Sequence, residues 1–334
     1  MLQIGKIFSY KKSEVKSTNN NNISNQRNKL ENNNNNRTIP QQLLNVDTRQ
    51  LQNVDINALP SSQYIDLPFK LPPTPLKGTY DNNTAKYAVI LINNFLYKIL
   101  NKFTIMNIPG FNDFSTKFYY YKDKNPIAFS RVSKDNSTLI ICFRGSQTIY
   151  DFIIDSKYNY YNPINGIYPP QNNPETAVYT CPGFSSFYNG INKQILSDVS
   201  SINTLRRIFI CGHSLGAALS FLLANELGQT YPGIVEVYGI APPKTGDVPF
   251  ANSVINNCNY TLSLINLADA VPSIITSYLF NKNKPNIPCS FSHVGPIAIF
   301  NNIQPNLQEC HLINAYYDGV TNDINPTIVP VVNK

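Results

Sequence analysis

At 334 residues the chain is long enough for one large α/β domain or two small ones. Only 14% of residues are charged, and 21 tyrosines with 18 phenylalanines supply the aromatic bulk in the absence of tryptophan, so the chain can build a substantial core. The net charge of +7 is weighted toward the first sixty residues, eight Lys/Arg against four Asp/Glu, with neither a phosphate-tracking stripe nor a reader motif, which argues against nucleic-acid binding.

The opening "MLQIGKIFSYKKSEVKSTNN" lacks an apolar core of signal-peptide length, and nowhere does an apolar run reach the roughly 18 residues of a membrane span. A cytoplasmic protein without a transmembrane segment, at most peripheral to membranes, is the expectation. Residues 17–36, "STNNNNISNQRNKLENNNNN", are polar and repetitive and cannot bury enough apolar surface to offset the entropy of ordering. Proline-rich "LPFKLPPTPLKG" follows as an extended linker or a strap across a domain. The reading is therefore an Asn-rich, Pro-containing tail over 1–78 and a folded domain over 79–334.

Within that domain, "TAKYAVILINNFLYKIL" at 84–100 repeats apolar residues at three- and four-residue spacing, which predicts a helix. "FYYYKD", "PIAFSRVS" and, after the turn "KDNS", the apolar "TLIICFRG" read as strands. "GIVEVYGIA" and "NYTLSLINLAD" are two more strand-like runs downstream. Strands alternating with helical segments predict one α/β domain, a mostly parallel central sheet flanked by helices. Of six cysteines, Cys142 and Cys211 sit inside apolar runs as small hydrophobes, and the other four have no metal-ligand spacing.

Between two such runs stands "ICGHSLGAALSFLLANELG" at 210–228. Gly212-x-Ser214-x-Gly216, with a strand before it and a helix after it, is the nucleophile-elbow pattern. A serine on so sharp a turn brings the residues two before and two after it close together, where a side chain would clash. The resuming helix directs its positive end at the oxyanion that forms when serine attacks an ester.

Six blocks in order carry a resemblance: "IICFRGSQTIYDFIID", "PGFSSFYNGI", "ICGHSLGAALS", "YGIAPPKTGDVPFA", "LINLADAVP" and "HLINAYY". Over roughly residues 85–320 the chain resembles the class 3 lipases, the family of the filamentous-fungal triacylglycerol lipases. The resemblance implies an α/β-hydrolase fold with an oxyanion hole made by Ser146, after Arg-Gly, and by the N–H of Leu215. Arg144 would anchor the Ser146 loop to a carboxylate. Where the family has a histidine before Gly-Phe, this chain has Cys181-Pro182.

Three histidines are available for the base, and His213 is too close in sequence to Ser214 to fold back onto it, so it reads as a packing or hydrogen-bonding residue. His311 matches the family's late catalytic histidine, whereas His293 matches a turn before the apolar "IAIF". For the carboxylate, Asp247 reads as a loop residue or helix cap, while Asp269 ends a strand-like run at the edge where α/β active sites gather. The expected triad is Ser214, Asp269 and His311.

The stretch after Ser146, with Ile149, Phe152 and Ile153 beside polar neighbours, occupies the place of the family's amphipathic lid, and Asp155 matches a family aspartate. The implied function is a serine esterase that cleaves tri- or diacylglycerol or the sn-1 ester of a phospholipid, at a membrane or lipid-droplet surface, without cofactor or metal. An acyltransferase would use the same residues, and a non-catalytic lipid-binding scaffold could keep the fold. An intact triad with two oxyanion donors argues against the scaffold, whereas product analysis separates hydrolase from acyltransferase.

Overall fold

The computed structural model describes residues 65, 67, 70–100, 108–112, 115–122, 126–146, 162–163, 178–274, 278–281, 284–322 and 326–330. All of them belong to the compact unit Asp47–Lys334. The Asn-rich tail expected over the first 64 residues lies outside them, as do the lid-like residues Ile149, Phe152 and Ile153 and the neighbouring Asp155.

Helix α1 (Asn82–Leu100) begins where Asp81 accepts the Thr84 N–H at 2.7 Å, satisfying a donor that the first helical turn leaves free. Strands β1 (Lys117–Tyr119), β2 (Ala128–Val132) and β3 (Thr138–Phe143) follow, then the short β4 (Asn162–Pro163) and β5 (Tyr179–Thr180). Next come α2 (Pro182–Asn189), α3 (Asn192–Ser200), β6 (Arg207–His213), α4 (Leu215–Thr230), β7 (Val235–Ile240) and β8 (Gly246–Asp247). The chain continues through α5 (Val248–Asn257), β9 (Tyr260–Asn266), α6 (Val271–Ile274), β10 (Tyr278–Asn281), β11 (Lys284–Ser292) and β12 (Ile297–Phe300). It closes with α7 (Leu307–His311), α8 (Ile313–Thr321) and β13 (Thr327–Val329).

Eight strands form the central sheet in the order β1-β2-β3-β6-β7-β9-β12-β13. From β3 to β12 every pairing is parallel, and the edges are antiparallel. The near-continuous apolar strands follow from this, because a parallel sheet is covered on both faces. Ile208, Ile210, Val235 and Val237 join the core beneath α2 to α5, whereas Phe209, Cys211, Tyr238 and Ile240 face α1 and α8. Cys142 and Cys211 are register partners in β3 and β6 and, with Cys181, Cys258 and Cys310, are buried free thiols. Burial pushes the Cys142 thiol well above its ordinary range.

A second, antiparallel sheet, β10-β11-β8-β5-β4, was not anticipated from the sequence. Three of its strands are two residues long, too short to show a period of two, and Pro285 and Pro288 in β11 mask its strand character.

The proline-rich run is a strap. Asn94 exchanges two hydrogen bonds with the backbone of Ile65, at 2.9 and 2.6 Å, and Leu67 is buried in the core beneath α1. Thr74 reaches Glu236, Arg207 donates to the Pro72 carbonyl, and Lys77 donates to the Cys258 carbonyl. Contacts with the domain thus extend back to Ile65, beyond the expected start at Thr79. Glu236 is fully buried and meets Arg207 in a two-pronged pair at 2.6 and 2.9 Å, with Tyr238 donating to it at 3.1 Å.

Removing one member of such a pair leaves a buried charge uncompensated. Arg207→Met is expected to lower stability by about 3 kcal/mol in a urea melt. A loss under about 0.5 kcal/mol would show that water screens the pair.

Candidate active site

Strand β6 runs apolar to Gly212-His213, and the chain turns at Ser214 with φ 57° and ψ −122° before α4 begins at Leu215. That left-handed backbone is costly for a non-glycine residue, and the neighbouring structure holds it. The Ser214 N–H bonds Ile240 O at 3.0 Å, while Ser214 O accepts from Ala217 N–H at 3.0 Å. A Cβ on Gly212 would lie 2.2 Å from Gly216 O, and one on Gly216 would lie 2.4 Å from Arg144 O. Both glycines are required by close approach, one between strand and helix, the other between helix and the end of β3.

Ser214, His311 and Asp269 are 4%, 3% and 1% exposed, and they meet in one chain of hydrogen bonds. His311 Nε2 is 2.9 Å from Ser214 Oγ, and His311 Nδ1 is 2.7 Å from Asp269 Oδ2. With the proton on Nδ1 donated to the carboxylate, Nε2 is left to accept the serine O–H. The carboxylate is filled on its other side, where Oδ1 accepts the Val271 N–H at 2.9 Å.

The two residues expected to supply oxyanion donors, Leu215 and Ser146, adjoin the elbow. Leu215 is the first residue of α4, and the first-turn N–H groups of a helix have no partner within the helix. Gly145 packs so closely that a Cβ there would sit 3.2 Å from Ser214 Cβ, which brings the half-buried Ser146, one residue on, beside the Ser214 turn. Arg144 stiffens this loop by donating to Pro126 O at 2.7 Å and to Gly145 O at 2.9 Å.

His213 ties down His311, its Nε2–H donating to the His311 carbonyl at 2.8 Å with the two rings 4.8 Å apart. Burial, and then the facing His311, hold His213 well below the ordinary imidazole range, so it stays neutral and adds no charge beside His311. His293 makes none of these contacts. Burial first and Lys244 second push it down to about 3, against an opposing hydrogen bond to the Pro272 backbone, and its Nδ1 is buried without a partner. Asp247 is likewise elsewhere, accepting the Phe250 N–H at 2.9 Å as the cap of α5.

Two further residues touch this chain that sequence reasoning did not single out. Tyr316 in α8 donates to Asp269 Oδ2 at 2.7 Å. Burial, then Asp269, holds its phenol well above the ordinary range, so it remains a donor. Asn266, at the end of β9, is fully buried and donates its backbone N–H to Tyr316 Oη at 3.2 Å. A sequence signal existed only in hindsight, an amide closing the apolar run "TLSLIN" and a tyrosine five residues after His311. Among the described residues no group of three or more His, Cys, Asp or Glu is placed to hold a metal ion, and no helix is long and apolar enough to cross a membrane.

Comparison with known proteins follows the same lines. Residues 140–279 match the model of the class 3 lipases. The lipase of Rhizomucor miehei is 28% identical over 203 residues, 58% of this chain and 49% of that one. Secreted mono- and diacylglycerol lipase A of Penicillium cyclopium is 26% identical over 172 residues, 49% of this chain and 48% of its own. Phospholipase A1-II 3 of Oryza sativa subsp. japonica is 32% identical over 121 residues, 31% of this chain and 29% of its own. The chain thus spans about half the length, or less, of these curated relatives. Among solved structures, the Rhizomucor miehei lipase propeptide complex aligns with a TM-score of 0.50 at 21% identity, over 74% of this chain and 78% of that one, a likeness of fold.

Proposed function

We propose that this chain, which belongs to the class 3 lipases through residues 140–279, is a carboxylic ester hydrolase that cleaves lipid esters through an acyl-enzyme on Ser214. The observation that carries the reading is the continuous chain Ser214 Oγ, His311, Asp269, ending at a strained strand-to-helix turn. In the acylation step His311 Nε2 takes the Ser214 proton as Oγ bonds the ester carbonyl carbon, and Asp269 stabilises the imidazolium that results. The negative charge passes to the former carbonyl oxygen, which the N–H groups of Leu215 and Ser146 receive near the positive end of α4. His311 then returns the proton to the departing alcohol as the C–O bond breaks. In the second half His311 deprotonates a water that attacks the acyl carbon, and Ser214 leaves with the proton restored.

Acylglycerols and the sn-1 ester of phospholipids are the substrate classes, in keeping with the mono- and diacylglycerol lipase and the phospholipase A1 among the similar proteins. The reaction would take place where such esters gather, at a membrane or lipid-droplet surface. A fluorophosphonate probe followed by peptide mapping tests the reading. Label is expected on Ser214, lost in Ser214→Ala and reduced in His311→Ala. Label on another residue, or none, would sink it.

A further inference from the structure

Three separate loops must converge for this hydrogen-bond chain to exist, because Asp269 follows β9, His311 ends α7, and the loop after β12 runs between them. One side chain joins all three. Asn266 Nδ2 donates to Asn302 O at 2.8 Å and to Cys310 O at 3.2 Å. Its Oδ1 accepts from Asn302 N–H at 2.8 Å and from Ala268 N–H at 3.3 Å. Both donors and both acceptor positions of the amide are therefore in use, which is the full capacity of an asparagine.

The backbone of the same residue adds to the clamp. Asn266 O accepts the Asp269 N–H at 3.0 Å, and the Asn266 N–H donates to Tyr316 Oη, which donates in turn to Asp269 Oδ2 at 2.7 Å. Cys310, held through its carbonyl, immediately precedes His311. We infer that Asn266, acting with Tyr316, is the positioning residue that sets the spacing between Asp269 and His311. It touches neither substrate nor reacting atoms. It works by tying the segments that carry the acid and the base to one buried amide, while Tyr316 fixes the carboxylate oxygen that faces the imidazole.

A core asparagine that merely satisfied loop ends would need only some of these bonds. Here each bond either lands within three residues of Asp269 or His311 or pins the loop between them. The last turn of the relay is closed by Tyr316, which is fully buried against Phe300. Replacing it by phenylalanine keeps the ring and removes only the link from Asn266 to Asp269.

The inference rests on the hydrolase reading, and its test separates the two. In the full chain, Asn266→Ala and Tyr316→Phe are compared with the parent on a water-soluble p-nitrophenyl ester, together with the proton resonance of His311 Nδ1–H. In both variants kcat is expected to fall roughly ten- to hundredfold. KM should stay within about twofold, since ground-state binding is untouched. The Nδ1–H resonance should move or broaden in each. Tyr316→Phe decides the matter if Asn266→Ala fails to fold. An unchanged kcat and an unchanged resonance in folded Tyr316→Phe would overturn the positioning role. A parent that turns over no ester, but whose resonance still moves on Tyr316→Phe, would sink the hydrolase reading and uphold the clamp.

Discussion

Ser214→Ala is expected to lower kcat on a soluble ester by roughly a million-fold, with the protein still folded. The size follows from the roles proposed for the three groups. Without Oγ the imidazole has no nucleophile to activate, and only the oxyanion donors and substrate binding remain to assist attack by water. For the same reason His311→Ala should cost about as much alone, and the double variant Ser214→Ala/His311→Ala should be no worse than either. Kinetics on the two single variants and the double variant check this directly. If the losses multiplied, the two residues would be acting independently and the 2.9 Å contact between Ser214 Oγ and His311 Nε2 would carry no chemistry.

Asp269→Asn is the second large effect, a drop in kcat of about ten-thousand-fold without loss of the fold. The hydrogen bonds explain why so small a change should matter. Oδ1 accepts from the Val271 N–H, which can only donate, so the amide of the variant must keep its carbonyl oxygen there. Its NH2 group is then forced to the other position, opposite His311 Nδ1 and Tyr316 Oη. The imidazole can meet that donor only by moving its proton to Nε2, and an Nε2–H cannot accept the serine proton. Burial and packing are unchanged, so KM should hold while turnover collapses. An Asp269→Asn variant retaining a tenth or more of parental kcat would show that this carboxylate does not hold the base.

How far the sequence could be read differs from part to part. The helix over 84–100 and the runs around 128–143, 233–241 and 259–269 were legible because burial on one stripe or on both faces imprints a period, or the lack of one, on neighbouring residues. The second sheet was not, since its strands are defined by partners in other segments and not by their own pattern. The proline-rich run could have been a linker, and its role as a strap depends on Glu236, Arg207 and Cys258, none of which is near it in the chain. Tyr316 and Asn266 escaped notice for a similar reason, as neither residue type in its local context differs from an ordinary core position.

By itself the sequence determined the elbow. Gly212, Ser214 and Gly216 lie within five residues, and the clash that forbids side chains at the two glycines arises from that local turn and the strand beside it. His311 and Asp269 were already the expected partners, and what only the tertiary structure decided is the geometry that brings them to the serine. Ser214 and His311 are 97 positions apart, and His311 and Asp269 are 42 apart. Their meeting is set by the parallel register of β6, β7, β9 and β12 and by the loops that leave those strands at one edge. No local pattern encodes such a distance, because it is the sum of many packing contacts.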